Sequence, residues 1–182
     1  RKEIEIKRLE TARILMAWEM PSAINQRLVI GGDIATSLLA EGRRSILVNR
    51  LREELKLVES IEMDITPLEQ GSLIILEASC MKDKVAIVEQ EIDNILLEIS
   101  NYIPTEKEIM RACNLVKNGL YFSLEASIHI AGIAGSHSLW DRKQSLLDPL
   151  NHIDYWTGNN LNSEILNSLI PEKSCTIIAL PK

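Results

Sequence analysis

Gly42 to Cys80 reads GRRSILVNRLREELKLVESIEMDITPLEQGSLIILEASC. The hydrophobic period changes once along it. Leu47, Val48, Leu51 and Leu55 recur at helical spacing, with Arg50, Arg52, Glu53, Glu54 and Lys56 off that stripe. Ser45 is in place to cap this helix. Ile61, Met63 and Ile65 then alternate with Ser60, Glu62 and Asp64, the period of a half-buried strand. Beyond Gln70-Gly71 a second strand, Leu73 to Cys80, is apolar at nearly every position. The expectation is a helix, a sharp exit and a β-hairpin over residues 58–80, central in an antiparallel sheet.

Upstream, Ala12, Ile14, Met16 and Trp18 alternate with Arg13, Leu15 and Ala17. This predicts a strand within about Lys7 to Glu19, stopped by Pro21. A helix follows from Ser22 to about Ala40, with Ile24, Leu28, Ile34, Ala35, Leu38 and Leu39 apolar. Gly31 and Gly32 lie inside it. Each costs roughly 1 kcal/mol relative to Ala, so a closely packed neighbour is the expected reason for them. No Gly-x-Gly-x-x-Gly or P-loop lysine supports a phosphate site there.

Downstream, Asp83 is placed to cap a helix to about Tyr102, with Val85, Val88, Ile92, Ile95, Leu96 and Ile99 on one face. The row Glu89, Glu91, Asp93 and Glu98 reads as its solvated face. Pro104 breaks the chain, and Thr105-x-x-Glu108 is a capping box. It opens a helix with Ile109, Ala112, Cys113, Val116 and Leu120 inward, continuing past an interruption near Gly119 to about Arg142. Asp148-Pro149 is a turn, and a short helical piece carries Leu150, Ile153 and Trp156. A last helix begins at Asn162 or Ser163 and ends before Pro171. Residues 174–180 close as a strand. The mixture of helices with a hairpin gives a single α+β domain over 1–182, a mainly antiparallel sheet with helices packed on one face.

The balance of 20 basic against 26 acidic residues, net charge −6, argues against a nucleic-acid partner. No apolar run approaches a membrane span, so no membrane partner is expected. No signal-peptide pattern opens the chain, and Arg1 at its start suggests a piece of something longer. The compartment is left open, with the cytoplasm favoured. Cys80, Cys113 and Cys175 form no Cys-x-x-Cys, and reduced, buried thiols are expected. Trp18, Trp140 and Trp156 are expected in the core or at its rim.

The helix ending in Leu51-Arg52-Glu53, its short exit and the Gly-bounded hairpin resemble the C-terminal, non-zinc-binding half-domain of pitrilysin/insulinase-type zinc peptidases. Processing peptidases are similar. The likeness extends to the helix after Pro104, to Phe122-Ser-Leu-Glu125 and to the close from Asn162 to Pro181. It implies metal-assisted peptide hydrolysis in a closed chamber, with zinc and general base in a partner half-domain of the same chain or a second subunit. This half would supply chamber wall and contacts to a peptide substrate. The alternative is a scaffold or assembly subunit that keeps the fold without cleavage. An unrelated α+β binding domain is a weaker third reading.

His-x-x-Glu-His, the ligand and base motif of that clan, is absent. The histidines are His129, His137 and His152. Glu125 and His129 stand four residues apart on an expected helix, too few ligands for zinc without a third. No Gly-x-Ser-x-Gly suggests a serine nucleophile. His137, in Gly135-Ser-His-Ser-Leu-Trp140, is expected to pack or cap. The chain alone is therefore expected to hold no metal, carry no catalytic residue and cleave no peptide. By the resemblance, Arg52 matches a substrate-contacting arginine, Glu59 replaces the family tyrosine, and Lys56 stands where glycine is usual. Glu59 is in phase with Ile61, which would turn it to the apolar sheet face. There it would need a cation, Arg52 first and Lys56 second. The other reading leaves both residues as solvated surface charge.

Overall fold

The structure is a computed structural model, which describes residues 1–139 and 145–182. Five strands form one sheet: β1 (Lys2–Ile6), β2 (Ala12–Met20), β3 (Ser60–Thr66), β4 (Ser72–Cys80) and β5 (Cys175–Pro181). Six α-helices are described: α1 (Gln26–Ala40), α2 (Val85–Ser100), α3 (Glu106–Ser123), α4 (Ser127–Leu139), α5 (Asp148–Asn151) and α6 (Gly158–Glu164). The class is α+β, as the hydrophobic periods predict.

The strand order is β1-β5-β2-β4-β3. β1 runs parallel to β5, and every other pair is antiparallel. The hairpin is therefore not central. β3 is an edge strand and β2 takes the middle, because β5 returns from the far end of the chain to pair Arg13 with Ala179 and Ala17 with Cys175. Helices cover one face. Ile14, Met16 and Trp18 of β2, Ile74, Leu76 and Ala78 of β4, and Ile61 and Ile65 of β3 are buried under them. The alternate residues Arg13, Leu15, Glu19, Leu73, Ile75 and Glu77 lie on the other face, partly or fully exposed. Cys175 is exposed, contrary to expectation, because the alternation of β5 turns it outward. Cys113 is half-buried and Cys80 buried.

α1 packs on β3 and α3. Its glycines are close approaches, as expected. A Cβ on Gly31 would stand 2.8 Å from Trp156 Cε2 and nearer still to Cζ2 and Cη2. A Cβ on Gly32 would stand 2.5 Å from Ile65 Cδ1. Trp18 and Trp156 are core residues, 2% and 3% exposed. Trp140 and the expected helix end at Arg142 lie outside the described residues.

Several boundaries move. α1 begins at Gln26 rather than Ser22, because Asn25 Oδ1 accepts from the Leu28 amide. The helix after Pro104 runs straight through Gly119 and breaks at residues 124–126 instead. Its capping box is present as read: Thr105 Oγ1 accepts from the Glu108 amide, and Glu108 Oε2 accepts from the Thr105 amide at 2.8 Å. Asp83 caps nothing and sits in a 3-10 turn, Lys82–Lys84, that leads into α2. Thr157, not Asn162 or Ser163, caps α6. Asn162 instead donates from Nδ2 to the Ser100 and Tyr102 carbonyls, tying α6 to the end of α2.

Candidate functional site

Residues 48–54 wind as a π-helix rather than an α-helix, a geometry that is rare and recurs at functional positions. The Leu55 amide donates back five residues to the Arg50 carbonyl at 3.0 Å. The wider turn explains the burial pattern. Leu47, Val48 and Leu51 are buried, but Leu55 is 37% exposed, since four residues no longer complete a turn. Ser45 does not cap the segment; its Oγ donates to the Gly42 carbonyl. The exit is a left-handed cap. Lys56 has φ 52°, and the Leu57 amide donates to the Leu51 carbonyl at 2.9 Å. A left-handed residue at this point is what a glycine adopts without strain, which accounts for the residue type that the resemblance puts there.

Arg52 and Glu59 are not brought together as an ion pair. Arg52 Nε and Nη2 donate to Glu53 Oε1 at 3.0 and 2.9 Å. Glu59 is exposed, and its amide donates to the Ser79 carbonyl at 2.8 Å. The physical reason is that β3 starts at Ser60. Glu59 keeps the phase of Ile61 but stands before the covered part of the sheet. Arg52 and Glu53 are 38% and 36% exposed, so their contact is worth about 0–1 kcal/mol and exchanges readily for another acceptor.

Glu125 and His129 do not share a helix face: Glu125 falls in the break between α3 and α4, and both are exposed. Among the described residues no group of three or more His, Cys, Asp or Glu side chains is placed to hold a metal. No described helix is long and apolar enough to cross a membrane.

Concave sites among the described residues were not anticipated, and one of them, about 840 Å³, lies between residues 44–54 and α2 with Asn49, Arg50 and Glu98 in its wall. A cavity of about 530 Å³ lies between α1, β3 and α3, lined by Asp33, Glu41, Glu62, Asp64 and apolar Val116 and Leu120. Asp33 is partly buried there, and its carboxyl is pushed up to about 7, first by withdrawal from water, then by the charges of Asp64 and Glu41. A smaller cavity, about 260 Å³, lies between the start of α1 and α4, with Gln26 and His137 in its wall. Arg52 and Glu59 line none of these. The only sequence signal for these sites is a polar residue interrupting an apolar helical run, as Asp33 does beside Ile34.

The sequence matches the family described as peptidase M16 inactive domain over residues 1–116. No curated protein matches it. Among solved structures, a protease from Helicobacter pylori is 18% identical with a TM-score of 0.85, over 98% of this chain and 43% of that one. A peptidase M16 inactive domain from Pseudomonas fluorescens is 16% identical with a TM-score of 0.81, over 100% and 44%. The inactive peptidase domain of a candidate zinc protease from Bordetella parapertussis is 13% identical with a TM-score of 0.83, over 97% of both chains. The chain thus spans less than half the length of the first two.

Proposed function

Because the chain belongs to the peptidase M16 inactive-domain family, we propose that it is the non-metal half-domain of a two-part zinc metalloendopeptidase. It contributes chamber wall and substrate contacts, and a facing half-domain, in the same chain or a second subunit, supplies the zinc site. Bound there, zinc would polarise the scissile carbonyl and activate water. The observation that carries this reading is the uncovered sheet face. Leu15, Leu73 and Ile75 are only half-buried there and Ile177 is 38% exposed, beside the ion pair of Arg13 with Glu77. A mixed apolar and charged face of this kind suits a wet wall that meets an extended peptide. It is not the dry surface of a closed core.

Arg52 serves as a substrate contact at the edge of this half. Its guanidinium stays charged and donates in a planar fork to carbonyl or carboxylate oxygens, and among the described residues only the exposed Glu53 competes for it. In the intact peptidase, with its zinc half present, Arg52→Ala lowers peptide affinity or turnover and Glu59→Tyr raises it. Ile75→Asp on the open face lowers cleavage without unfolding the protein. Cleavage equal to the parent in all three variants would refute the reading. Glu59, exposed where the resemblance has tyrosine, favours the second reading, a scaffold subunit without cleavage. In that case the intact protein pairs its halves but turns over no peptide.

A further inference from the structure

We propose that the cavity between α1 and α4 is a binding pocket for one large apolar residue of a peptide, held by its side chain and by its own backbone amide. The choice of a peptide rests on the half-domain reading above; the pocket itself rests on its walls. It measures about 260 Å³, and Ala23, Val29, Ile30, Pro67, Ile133 and Pro149 make it mainly apolar. Three polar side chains line it: Ser136 Oγ donates to the Gly132 carbonyl, whereas Gln26 Oε1 and His137 Nδ1 are buried with no hydrogen-bond partner among the described residues. Gln26 is 8% exposed, so its amide oxygen has little recourse to bulk water.

An orphaned buried acceptor costs about 1–3 kcal/mol, and native proteins leave few of them. Gln26 Oε1 accepts only, so the missing partner brings an N–H or O–H. His137 Nδ1 donates in one tautomer and accepts in the other. A peptide residue presents an N–H, a C=O and, between them, a side chain that can fill an apolar space. Its N–H satisfies Gln26. Its C=O accepts from Nδ1–H, or the next N–H donates to Nδ1. Few other small groups pair both orphans while filling the apolar remainder.

The state of α4 points the same way. None of its residues is buried, its surface exposes Ile128 at 77% and Leu139 at 85%, and it carries no Asp, Glu, Lys or Arg. A helix so weakly held gains burial for Ile133 and a partner for His137 when the pocket fills. Binding therefore draws α4 onto the N-terminal end of α1.

The test uses the 182-residue chain with N-acetyl-leucine amide as probe and N-acetyl-glycine amide as control, followed by ¹H–¹⁵N spectra of the Gln26 side-chain amide, the His137 ring and the α4 backbone. The leucine probe is expected to move all three sets of resonances saturably, and the glycine probe to leave them in place. Gln26→Leu and His137→Phe each weaken the leucine probe about fivefold to tenfold, as the loss of one hydrogen bond implies. If Gln26→Leu fails to fold, His137→Phe carries the comparison, since it lies on a helix with no buried residue. No shift with the leucine probe, equal shifts with both probes, or unchanged affinity in the folded variants would overturn the pocket. Binding is measured without any zinc half, so its failure leaves the half-domain reading intact, and loss of cleavage in the intact peptidase says nothing against the pocket.

Discussion

The Trp156 ring lies directly against the Cα of Gly31, so closely that no side chain fits between α1 and the turn that carries the tryptophan. Tyr155 stacks edge-on to Trp156 at 5.2 Å, and the Arg27 guanidinium sits 4.4 Å from the Tyr155 ring. Arg27 also pairs with Glu164 of α6 at 2.5 Å. The glycine is thus the seat on which residues 153–164 close over α1.

Gly31→Ala should therefore destabilise the fold although alanine is the better helix former. The helix propensity gain is about 1 kcal/mol, while displacing a buried indole costs about 1–3 kcal/mol and disturbs the Tyr155 and Arg27 contacts. The net expectation is a fall in Tm of several degrees. Trp156→Leu in the same chain should restore part of the loss, a positive coupling in a double-mutant cycle. Additive effects of the two substitutions would show that the contact is not what requires glycine.

Lys56→Gly should do the opposite. Lys56 holds φ 52°, which costs an L-residue roughly 1 kcal/mol or more relative to glycine. Glycine loses part of that advantage to its freer unfolded chain. A gain of up to about 1 kcal/mol in chemical denaturation is expected, with no change in the Arg52 contacts. A loss of stability would mean that the Lys56 side chain makes a contribution that the backbone geometry does not reveal.

Thr105→Ala should cost about 1 kcal/mol by removing one half of the capping box. Glu108 has a second attachment, because Tyr102 donates to its Oε2 at 2.6 Å. Burial works against the Glu108 charge, yet the hydrogen bonds from Thr105 and Tyr102 hold its carboxyl below the usual range. A depressed carboxyl contributes stability that is present above its unfolded value and is lost as pH falls through the folded one. Thr105→Ala should therefore also flatten the acid limb of the stability profile. An unchanged acid limb would show that Tyr102 and the backbone amide of residue 105 hold the carboxylate without the threonine hydroxyl.

How much could be read from sequence depends on the range of the interaction. The capping box and the hairpin are local, and their residue types specify them within a few positions. The Gly31–Gly32 pair revealed a close approach, though not that Trp156, far along the chain, makes it. Strand order was not legible, because β5 pairs with β2 across most of the chain and its apolar run fits several places in a sheet. The π-helix was not legible either: Leu55 keeps an α-helical spacing, yet its amide reaches back five residues to the Arg50 carbonyl. Glu59 had the correct phase but lay one residue before the strand, so phase alone misjudged its burial. Gln26 and Asp33 looked like ordinary polar residues on a helix, since only tertiary packing withdraws them from water.

Asp33 gives the clearest dependence on pH. Its carboxyl is raised from an ordinary aspartate's 3.8 to about 7 by burial and by the neighbouring Asp64 and Glu41. In this direction the folded state binds the proton more tightly than the unfolded chain does. Between about pH 4 and 7 the Asp33 contribution therefore lowers stability as pH rises, and the penalty is fully present above about pH 7. Asp33→Asn removes the charge and keeps the shape. It should stabilise the chain at pH 8 by more than about 1 kcal/mol, since each tenfold change in proton affinity is worth roughly 1.4 kcal/mol. It should have little effect near pH 4, where the native aspartate is already neutral in the fold. Denaturation midpoints of the two proteins across about pH 4–8 would measure the difference. A constant offset across that range would mean that Asp33 is ionised throughout, and that water in the 530 Å³ cavity solvates it well enough to offset its acidic neighbours.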